Sequence, residues 1–245
     1  MIDQDYHNQI VFVTGAASGI GFCQMTTYLE AGAEVWALDR DQINFEHPNL
    51  HKVKLDLSQH QKLLDWLANF EARDKIDTLL NTAGILDAFK PSLETNLAAW
   101  QHVFDVNVTP MYLLTNAFLP GMLTRKSGHI INMASIAGLI AGGGGAAYTA
   151  SKHAIVGYTK QLAFDYANQG IHVQAIAPGA IETPMNAADF AGEGLMAKQV
   201  AQQTPARRWA QPQEVADLTL YLTSPQADYL NGNVIPIDGG WSLGH

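Results

Sequence analysis

Short runs of β-branched and other apolar residues alternate along the chain with longer segments in which apolar residues recur every three or four positions. Several of the short runs lack strict polar–apolar alternation, which is typical of strands covered on both faces. The pattern therefore predicts seven strands separated by helices. The predicted strands are Ile10–Thr14, Glu34–Leu38, Lys52–Leu55, Thr78–Asn81, His129–Met133, His172–Ile176 and Val234–Ile237.

Signals for the ends of helices fall between these strands. Ser58–Gln61 predicts a capping box that opens a helix with Leu and Phe residues at helical spacing. Gly32 and Gly170 stand where helices are expected to end, and Pro212 suits the first turn of another. No repeat or Pro/Ser-rich linker interrupts the series. We therefore predict an α/β fold in which residues 1–245 form one domain, a doubly wound parallel sheet with helices on both faces.

Composition narrows the possible functions. The chain has 245 residues, of which 47% are hydrophobic and 15% charged, and its formal net charge is −9. So large an apolar share argues against disorder, and the acidic balance argues against a nucleic-acid partner. The single cysteine, Cys23, excludes an internal disulfide and a Cys-rich zinc site. No apolar run reaches about 18 residues and Met1–Asn8 is polar, so we expect a cytoplasmic protein with no membrane partner.

A glycine-rich turn follows the first strand. The segment Thr14–Gly21 reads Thr-Gly-Ala-Ala-Ser-Gly-Ile-Gly and leads into a predicted helix that runs through Ala31. Glycines there let the chain turn tightly, and a helix N-terminus with free N–H groups favours a pyrophosphate. A tight structural turn would also explain the glycines. The strand before, the helix after and an acid on the next strand together favour a dinucleotide.

That acid is Asp39, which follows the second strand and is placed to accept hydrogen bonds from the adenosine ribose. Arg40 could instead accommodate a 2′-phosphate, whereas Ser18 brings no positive charge into the glycine loop. We therefore predict NAD(H) as the preferred cofactor, with NADP(H) possible. Asp56, at the end of the third predicted strand, could hold the adenine amino group or cap the next helix.

Tyr148 and Lys152 lie four positions apart and therefore on one face of a predicted helix. A free tyrosine has a pKa near 10, and lowering it by ~3 units, about 4 kcal/mol, would make it a usable acid/base at neutral pH. Ser135, after the fifth strand, could hydrogen-bond the same substrate oxygen. The Tyr-x-x-x-Lys spacing is common by chance, and it gains weight here from the upstream dinucleotide motif.

In this order and spacing the motifs resemble the short-chain dehydrogenases/reductases, along most of the chain. The residues that carry the resemblance are Thr14–Gly21, Asn81–Gly84, Asn107, Ser135, Tyr148, Lys152, Pro178–Gly179 and Asp238–Gly240. The resemblance implies a Rossmann fold and an enzyme that acts on CH–OH groups, interconverting a secondary alcohol and a ketone by hydride transfer. It also implies a homotetramer joined partly through the helix around Trp100–Leu123 and the helix after Tyr148.

The resemblance further implies a role for each catalytic residue. Tyr148 would exchange a proton with the substrate oxygen, and Lys152 would bind the nicotinamide ribose and lower the tyrosine pKa. Ser135 would orient the substrate, and Asn107 would bend a helix and hold a water. The expected cofactor contacts are Gly15, Ser18, Gly19, Ile20, Gly21, Asp39, Arg40, Asp56, Leu57, Asn81, Ala83, Gly84, Tyr148, Lys152, Pro178, Gly179, Ile181 and Thr183.

One departure concerns the helix that such proteins usually have between the second and third strands. Only 16 residues separate Asp39 from Asp56, and Phe45–Pro48 breaks helical spacing, so we expect that helix to be missing or reduced to a turn.

The substrate is less clearly marked. The likeness is greatest to the branch of 3-oxoacyl-[acyl-carrier-protein] reductases, through Arg207–Val215 and Ile237–Trp241. Against an acyl-carrier-protein partner stand Asp39, the acidic charge and the neutral Gln169, while Arg125 and Lys126 offer some positive charge. We therefore favour a small carbonyl or alcohol substrate, with an NADPH-dependent acyl-carrier-protein reductase as the alternative.

Other interpretations remain open. A non-catalytic dinucleotide sensor is a third possibility, which the presence of both Tyr148 and Lys152 disfavours. No metal site is predicted from the nine histidines, because they show no ligand spacing. The run Gly142–Gly145 should border the pocket, either as a mobile loop or as its wall.

Overall fold

The strands of this protein form one parallel sheet in the order β3-β2-β1-β4-β5-β6-β7 in a computed structural model that describes residues 5–244. The prediction made for Met1–Asn8 falls partly outside the described residues. The strands are β1 (Ile10–Thr14), β2 (Glu34–Asp39), β3 (Leu50–Lys54), β4 (Thr78–Asn81), β5 (Gly128–Met133), β6 (Ile171–Pro178) and β7 (Val234–Ile237). The predicted seven-stranded parallel sheet is confirmed.

Helices cover both faces of the sheet, because alternate strand residues point to opposite sides. Val11 and Val13 pack toward the helices Gly19–Glu30 and Pro212–Leu222. Phe12 packs toward the helices His60–Ala68, Thr109–Arg125 and Ala146–Tyr166 on the other face. The helices are α1 (Gly19–Glu30), α2 (His60–Ala68), α3 (Leu97–Asn107), α4 (Thr109–Arg125), α5 (Ala146–Tyr166), α6 (Leu195–Gln203) and α7 (Pro212–Leu222).

Several predicted boundaries were right and others were wrong. Gly32 and Gly170 follow helical segments with φ of +92° and +78°, as expected of helix ends, and α7 begins at Pro212. The capping box predicted at Ser58–Gln61 is absent. Helix α2 begins at His60, and the Ser58 hydroxyl instead donates to Asp56 Oδ1 at 2.8 Å. Ser58 therefore does not cap α2, because its hydroxyl is hydrogen-bonded to Asp56.

The connection between β2 and β3 contains no helix, as the short spacing predicts. Phe45 from this connection packs edge-on against Phe22 of α1, with ring centroids 5.8 Å apart, and joins the core on this side of the sheet. Strand β3 begins two residues and ends one residue earlier than predicted, so Asp56 lies two residues past its end.

The fold places its polar loops at one edge of the sheet. Strand β1 pairs with β2 on one side and with β4 on the other, so the chain reverses direction across the sheet there. Such a switch point leaves a crevice at the carboxyl ends of the strands, where ligands bind in open α/β sheets. Within residues 5–244, no helix is both long and apolar enough to cross a membrane.

Candidate functional site

A single cleft at the carboxyl ends of the strands brings together nearly all of the predicted site residues. It extends from the loop after β2, past the glycine turn, to Tyr148 and the segment after β6. The predicted residues that line it are Gly15, Ser18, Gly19, Ile20, Gly21, Asp39, Arg40, Asp56, Leu57, Ala83, Gly84, Ser135, Tyr148, Lys152, Pro178, Gly179, Ile181 and Thr183.

The glycine turn has a steric reason at two positions. A Cβ on Gly21 would lie 2.2 Å from the Gly15 carbonyl oxygen, so no side chain fits where α1 leaves the turn. Gly15 has φ of +72°, and a Cβ there would come within 3.0 Å of the Ala83 Cα. These glycines therefore let α1 begin directly against β1 and β4, with its N-terminus facing the cleft.

The N-terminus of α1 fits an anionic group. Ser18 is the N-cap residue, its side chain makes no capping hydrogen bond, and the first turn contains no acidic residue. The N–H groups of a first turn have no partner inside the helix, and they carry the positive end of its dipole. A pyrophosphate would accept hydrogen bonds from these N–H groups, and the helix dipole would stabilise its negative charge.

The end of the cleft beside β2 and β3, where the adenosine is expected to lie, is lined by Asp39, Asp41 and Asp56. We call it the adenosine end. The two carboxylate oxygens of Asp39 accept hydrogen bonds from the backbone N–H groups of Ala17 and Asp41, each at 2.9 Å. Arg40 lies against Asp41, with Nε 3.7 Å from a carboxylate oxygen. Asp56 accepts hydrogen bonds from both the backbone N–H and the hydroxyl of Ser58, and these bonds lower its pKa. Asp56 therefore stabilises the turn at Ser58 and does not cap α2.

Lys152 is buried one turn after Tyr148 on α5. Its Nζ donates to the Met133 carbonyl at 2.7 Å and lies 5.4 Å from the centre of the Tyr148 ring. Ser135 lies two residues after the end of β5, and its hydroxyl accepts a hydrogen bond from the Ala137 N–H at 3.1 Å. The i, i+4 spacing and the end of β5 thus place hydroxyl, phenol and amine in one corner of the cleft.

The pKa of Tyr148 is not lowered in the chain by itself, and its lowering in the enzyme at work stays a prediction. Burial raises the pKa of Tyr148 to about 12, although a hydrogen bond with Ser135 acts in the opposite direction. Burial also lowers the pKa of Lys152 to about 7. Burial shifts both groups toward their neutral forms, because a phenolate and an ammonium each lose hydration in the corner. The predicted lowering depends on a cationic Lys152 and on the positive charge of an oxidised nicotinamide.

Asn107 is buried at the end of α3, and it does not line the cleft. Its side chain accepts from the Ile85 N–H at 2.8 Å and donates to the Ile85 carbonyl at 3.0 Å and to Ser151 Oγ at 3.2 Å. The expected bend is present, since α3 ends at Asn107 and α4 begins two residues later. Asn107 thereby joins this bend to the loop after β4 and to α5.

Asn81 also lies outside the cleft lining, in contrast to its predicted cofactor contact. It is buried on β4, and its Nδ2 donates to Asn132 Oδ1 at 2.9 Å. The next residues along the chain form the cleft wall instead. Asn81 lies opposite Asn132 in the register of β4 and β5, and the sequence motif does not reveal that its amide pairs with this neighbouring strand.

Sequence reasoning missed other lining residues, all of them ordinary in type. His102 and Val106 reach the cleft from α3, and Met185 and Asn186 reach it from the segment after β6. No local motif distinguishes them from other helix or loop residues. Further along the segment after β6, Phe190 packs against Trp209 with ring centroids 4.9 Å apart, while Leu195 and Met196 are exposed. Phe190 is thus held by the body of the protein.

Comparison with known proteins relates nearly the whole chain to one family. A family model described as enoyl-(acyl carrier protein) reductase matches residues 15–242. The rat protein dehydrogenase/reductase SDR family member 6 is 36% identical over 245 residues, which cover 96% of this chain and 98% of the relative.

Solved structures agree with this relationship. A 4-hydroxyisoleucine dehydrogenase in complex with NADH is 32% identical with a TM-score of 0.90, covering 97% of this chain and 100% of its own. A Beutenbergia cavernae protein with bound NADP is 33% identical with a TM-score of 0.88, covering 99% of this chain and 100% of its own.

Proposed function

Because the chain belongs to the short-chain dehydrogenase/reductase family, we propose that Tyr148 is the acid/base of the oxidoreductase reaction that takes place in the cleft. The protein interconverts a secondary alcohol and a ketone with a nicotinamide dinucleotide, as the related dehydrogenases do. The observation that carries the assignment is the convergence of Tyr148, Lys152 and Ser135 in one corner of a cleft whose other end is a phosphate-binding glycine turn.

The cofactor, when bound, supplies the hydride acceptor or donor. The N-terminus of α1 would bind its pyrophosphate, and Asp39 would accept hydrogen bonds from a ribose. Pro178, Gly179, Ile181 and Thr183 form the wall at the nicotinamide end. Ser135 donates to the substrate oxygen and orients it.

Tyr148 carries the reactive proton at its phenol oxygen. In the reducing direction it donates this proton to the carbonyl oxygen, and in the oxidising direction it removes the proton from the alcohol. Its high pKa in the structure keeps the phenol protonated and ready to donate. Lys152 assists by placing its amine near the phenol and the nicotinamide ribose, and Asn107 holds the surrounding loop in place.

We propose NAD(H) as the preferred cofactor. Three carboxylates line the adenosine end, those of Asp39, Asp41 and Asp56, while Arg40 is the one arginine there among the lining residues. Arg40 already lies close to Asp41. A 2′-phosphate would meet net negative charge, whereas ribose hydroxyls can donate to the remaining lone pairs of Asp39.

Isothermal titration with NADH and NADPH tests this preference, with Asp39→Ala as the variant. We expect wild-type protein to bind NADH more tightly, and Asp39→Ala to weaken NADH binding about tenfold or more, as expected for lost hydrogen bonds to a charged group. Asp65→Asn, an exposed aspartate on α2, is the matched control. Tighter binding of NADPH to the wild-type protein would overturn the assignment.

A small alcohol or ketone is the substrate we propose. An acidic carrier protein would need free basic side chains at the rim, but three candidate arginines are engaged within the chain. Arg125 donates to the carbonyls of Asp74 and Ile76. Arg207 donates to the Gln202 carbonyl, and Arg208 forms a two-fold ion pair with Glu214 at 2.7 Å. These contacts hold the three guanidinium groups against their own chain, and the Glu214 carboxylate neutralises the charge of Arg208.

Steady-state kinetics separate the two substrate classes. Small diols and hydroxyketones should turn over with NAD(H), and acetoacetyl thioesters should be poor substrates; strong NADPH-dependent thioester reduction would contradict the proposal. Tyr148→Phe should lower kcat by about 10²- to 10⁴-fold, because the proton-transfer group is removed. Tyr166→Phe, on the same helix, should retain activity. Equal turnover by the two variants would remove Tyr148 from its role.

We also propose a homotetramer and a cytoplasmic location. Large apolar side chains are exposed on α3, α4 and α5, including Trp100, Tyr112 and Phe164. Trp100 and Phe104 stack with ring centroids 5.1 Å apart and extend this apolar surface along α3. A patch of this kind on a folded chain is typical of a subunit interface. Sedimentation of a monomer at micromolar concentration would contradict the tetramer.

A further inference from the structure

We infer that Asp87 is a positioning residue for the reaction, because its carboxylate fastens the first turn of α5 to the loop that follows β4. One carboxylate oxygen accepts from the Gly145 N–H and the other from the Tyr148 N–H, each at 2.9 Å. These bonds join residues 58 and 61 positions apart in the chain. The inference rests on the proposed role of Tyr148, whose own backbone is one of the two groups held.

A third hydrogen bond crosses the same junction. The Ala146 N–H donates to the Lys90 carbonyl at 3.1 Å, so the consecutive residues Gly145 and Ala146 are both bound to the loop. A Cβ on Gly145 would lie 2.5 Å from an Asp87 oxygen and 2.6 Å from the Lys90 nitrogen. Glycine at position 145 is therefore what allows the loop to come this close.

The neighbouring glycine, Gly144, leaves room for the ring of Tyr148. A Cβ on Gly144 would lie 2.3 Å from Cδ1 of Tyr148. The end of the run Gly142–Gly145 is therefore a wall packed against Tyr148 and Asp87. This gives Gly144 and Gly145 a steric reason that the sequence does not supply.

The loop on the other side of the junction is strained. Ala88 and Phe89 have φ of +59° and +57°, a left-handed conformation that L-residues rarely adopt. The Phe89 N–H donates to Asp87 Oδ1 at 3.2 Å. Asp87 thus holds its own loop in the strained form and α5 in register with it, and such strain persists only where surrounding contacts require it.

Asp87 also acts on the phenol electrostatically. Its negative charge adds to burial in raising the pKa of Tyr148, while the Ser135 hydrogen bond lowers it. Lys152, with its Nζ 5.4 Å from the ring centre, is the other titratable side chain that faces the tyrosine. Removing the carboxylate should therefore loosen Tyr148 and lower its pKa at the same time, two effects that separate measurements detect.

Two substitutions test the inference in the full-length enzyme. Asp87→Ala removes both acceptors, and Asp87→Asn keeps the shape but leaves one acceptor oxygen, so its defect should be smaller. Asp165→Asn, near the end of the same helix, is the matched control, since its carboxylate accepts only from the Gln161 side chain among the hydrogen bonds found within residues 5–244.

We expect Asp87→Ala to lower kcat about 10- to 100-fold, as misplacement of a reacting group does. The KM for the cofactor should change less than about twofold, because the glycine turn is untouched. In alcohol oxidation, the pH limb that reports tyrosine ionisation should move to lower pH in both Asp87 variants. Hydrogen–deuterium exchange of the cofactor-free protein should show faster exchange at the Gly145 and Tyr148 amides in Asp87→Ala.

The outcomes are distinguishable. Wild-type kcat and amide protection in both variants, or lowered activity with an unmoved pH limb, would overturn the positioning role. If Asp87→Ala does not fold, Asp87→Asn provides the same measurements. If Tyr148→Phe is as active as the wild type, the proposed function fails, and the exchange data still decide whether Asp87 holds α5.

Discussion

Replacing Lys152 with methionine should make the protein more stable at neutral pH while removing its activity. Methionine retains an unbranched side chain of similar length in the same buried position. It lacks the amine, which the fold buries with the Met133 carbonyl as its hydrogen-bond partner. We therefore expect the lysine to be needed for activity, although burying its amine makes the folded protein less stable.

The size of the effect follows from the lysine pKa. Burial lowers this pKa from 10.5 to about 7. Between these values the unfolded chain binds a proton that the folded chain has released, so stability is reduced at pH 7 and rises as the pH increases. The difference at pH 7 amounts to about 4–5 kcal/mol, at 1.36 kcal/mol for each unit. Loss of the hydrogen bond to Met133 offsets about 1 kcal/mol, leaving a net gain of ~3 kcal/mol.

Urea unfolding of the cofactor-free proteins from pH 7.5 to 9.5 measures this effect. Lys152→Met should exceed wild type most at the lower pH, and the difference should shrink by about 2.5 kcal/mol over the range, because the lysine penalty disappears as the pH approaches 10.5. Lys160→Met, an exposed lysine on the same helix, should show no such convergence.

Two results would refute this reasoning. If Lys152→Met is less stable than wild type at pH 7.5, packing rather than the buried amine dominates at this position. If the stability difference does not change with pH, the lysine titrates near its ordinary pKa in the folded protein.

Three further changes have distinct expected outcomes. Gly21→Ala places a Cβ 2.2 Å from the Gly15 carbonyl oxygen, so cofactor affinity in a fluorescence titration should fall at least about tenfold; unchanged affinity would argue against the turn as the phosphate site. Asn107→Ala leaves the buried N–H and carbonyl of Ile85 without side-chain partners and should cost about 2–3 kcal/mol in urea unfolding, whereas a loss below ~0.5 kcal/mol would contradict this. His129→Phe should remove the stability lost as the pH falls from 6.5 to 4, up to about 3 kcal/mol, because burial lowers the His129 pKa to about 4; parallel pH curves would refute it.

The sequence by itself determined the parts of this protein that depend on neighbours in the chain. Apolar runs separated by helical spacing predicted the seven strands, and the Thr14–Gly21 turn predicted where a phosphate would bind. Tyr148 and Lys152 share a helix face because the α-helix has 3.6 residues per turn. Asp39 ends a strand beside the glycine turn because parallel strands bring their carboxyl ends to one edge. Each is a consequence of local geometry.

Only the tertiary structure decided how these groups are held and charged. Asp87 accepts hydrogen bonds from Gly145 and Tyr148 because two distant loops meet, and no spacing in the sequence records that meeting. Burial raises the pKa of Tyr148 and lowers that of Lys152, and the tyrosine–lysine spacing records neither effect. Desolvation depends on every atom packed around a group, so it follows from the folded chain as a whole.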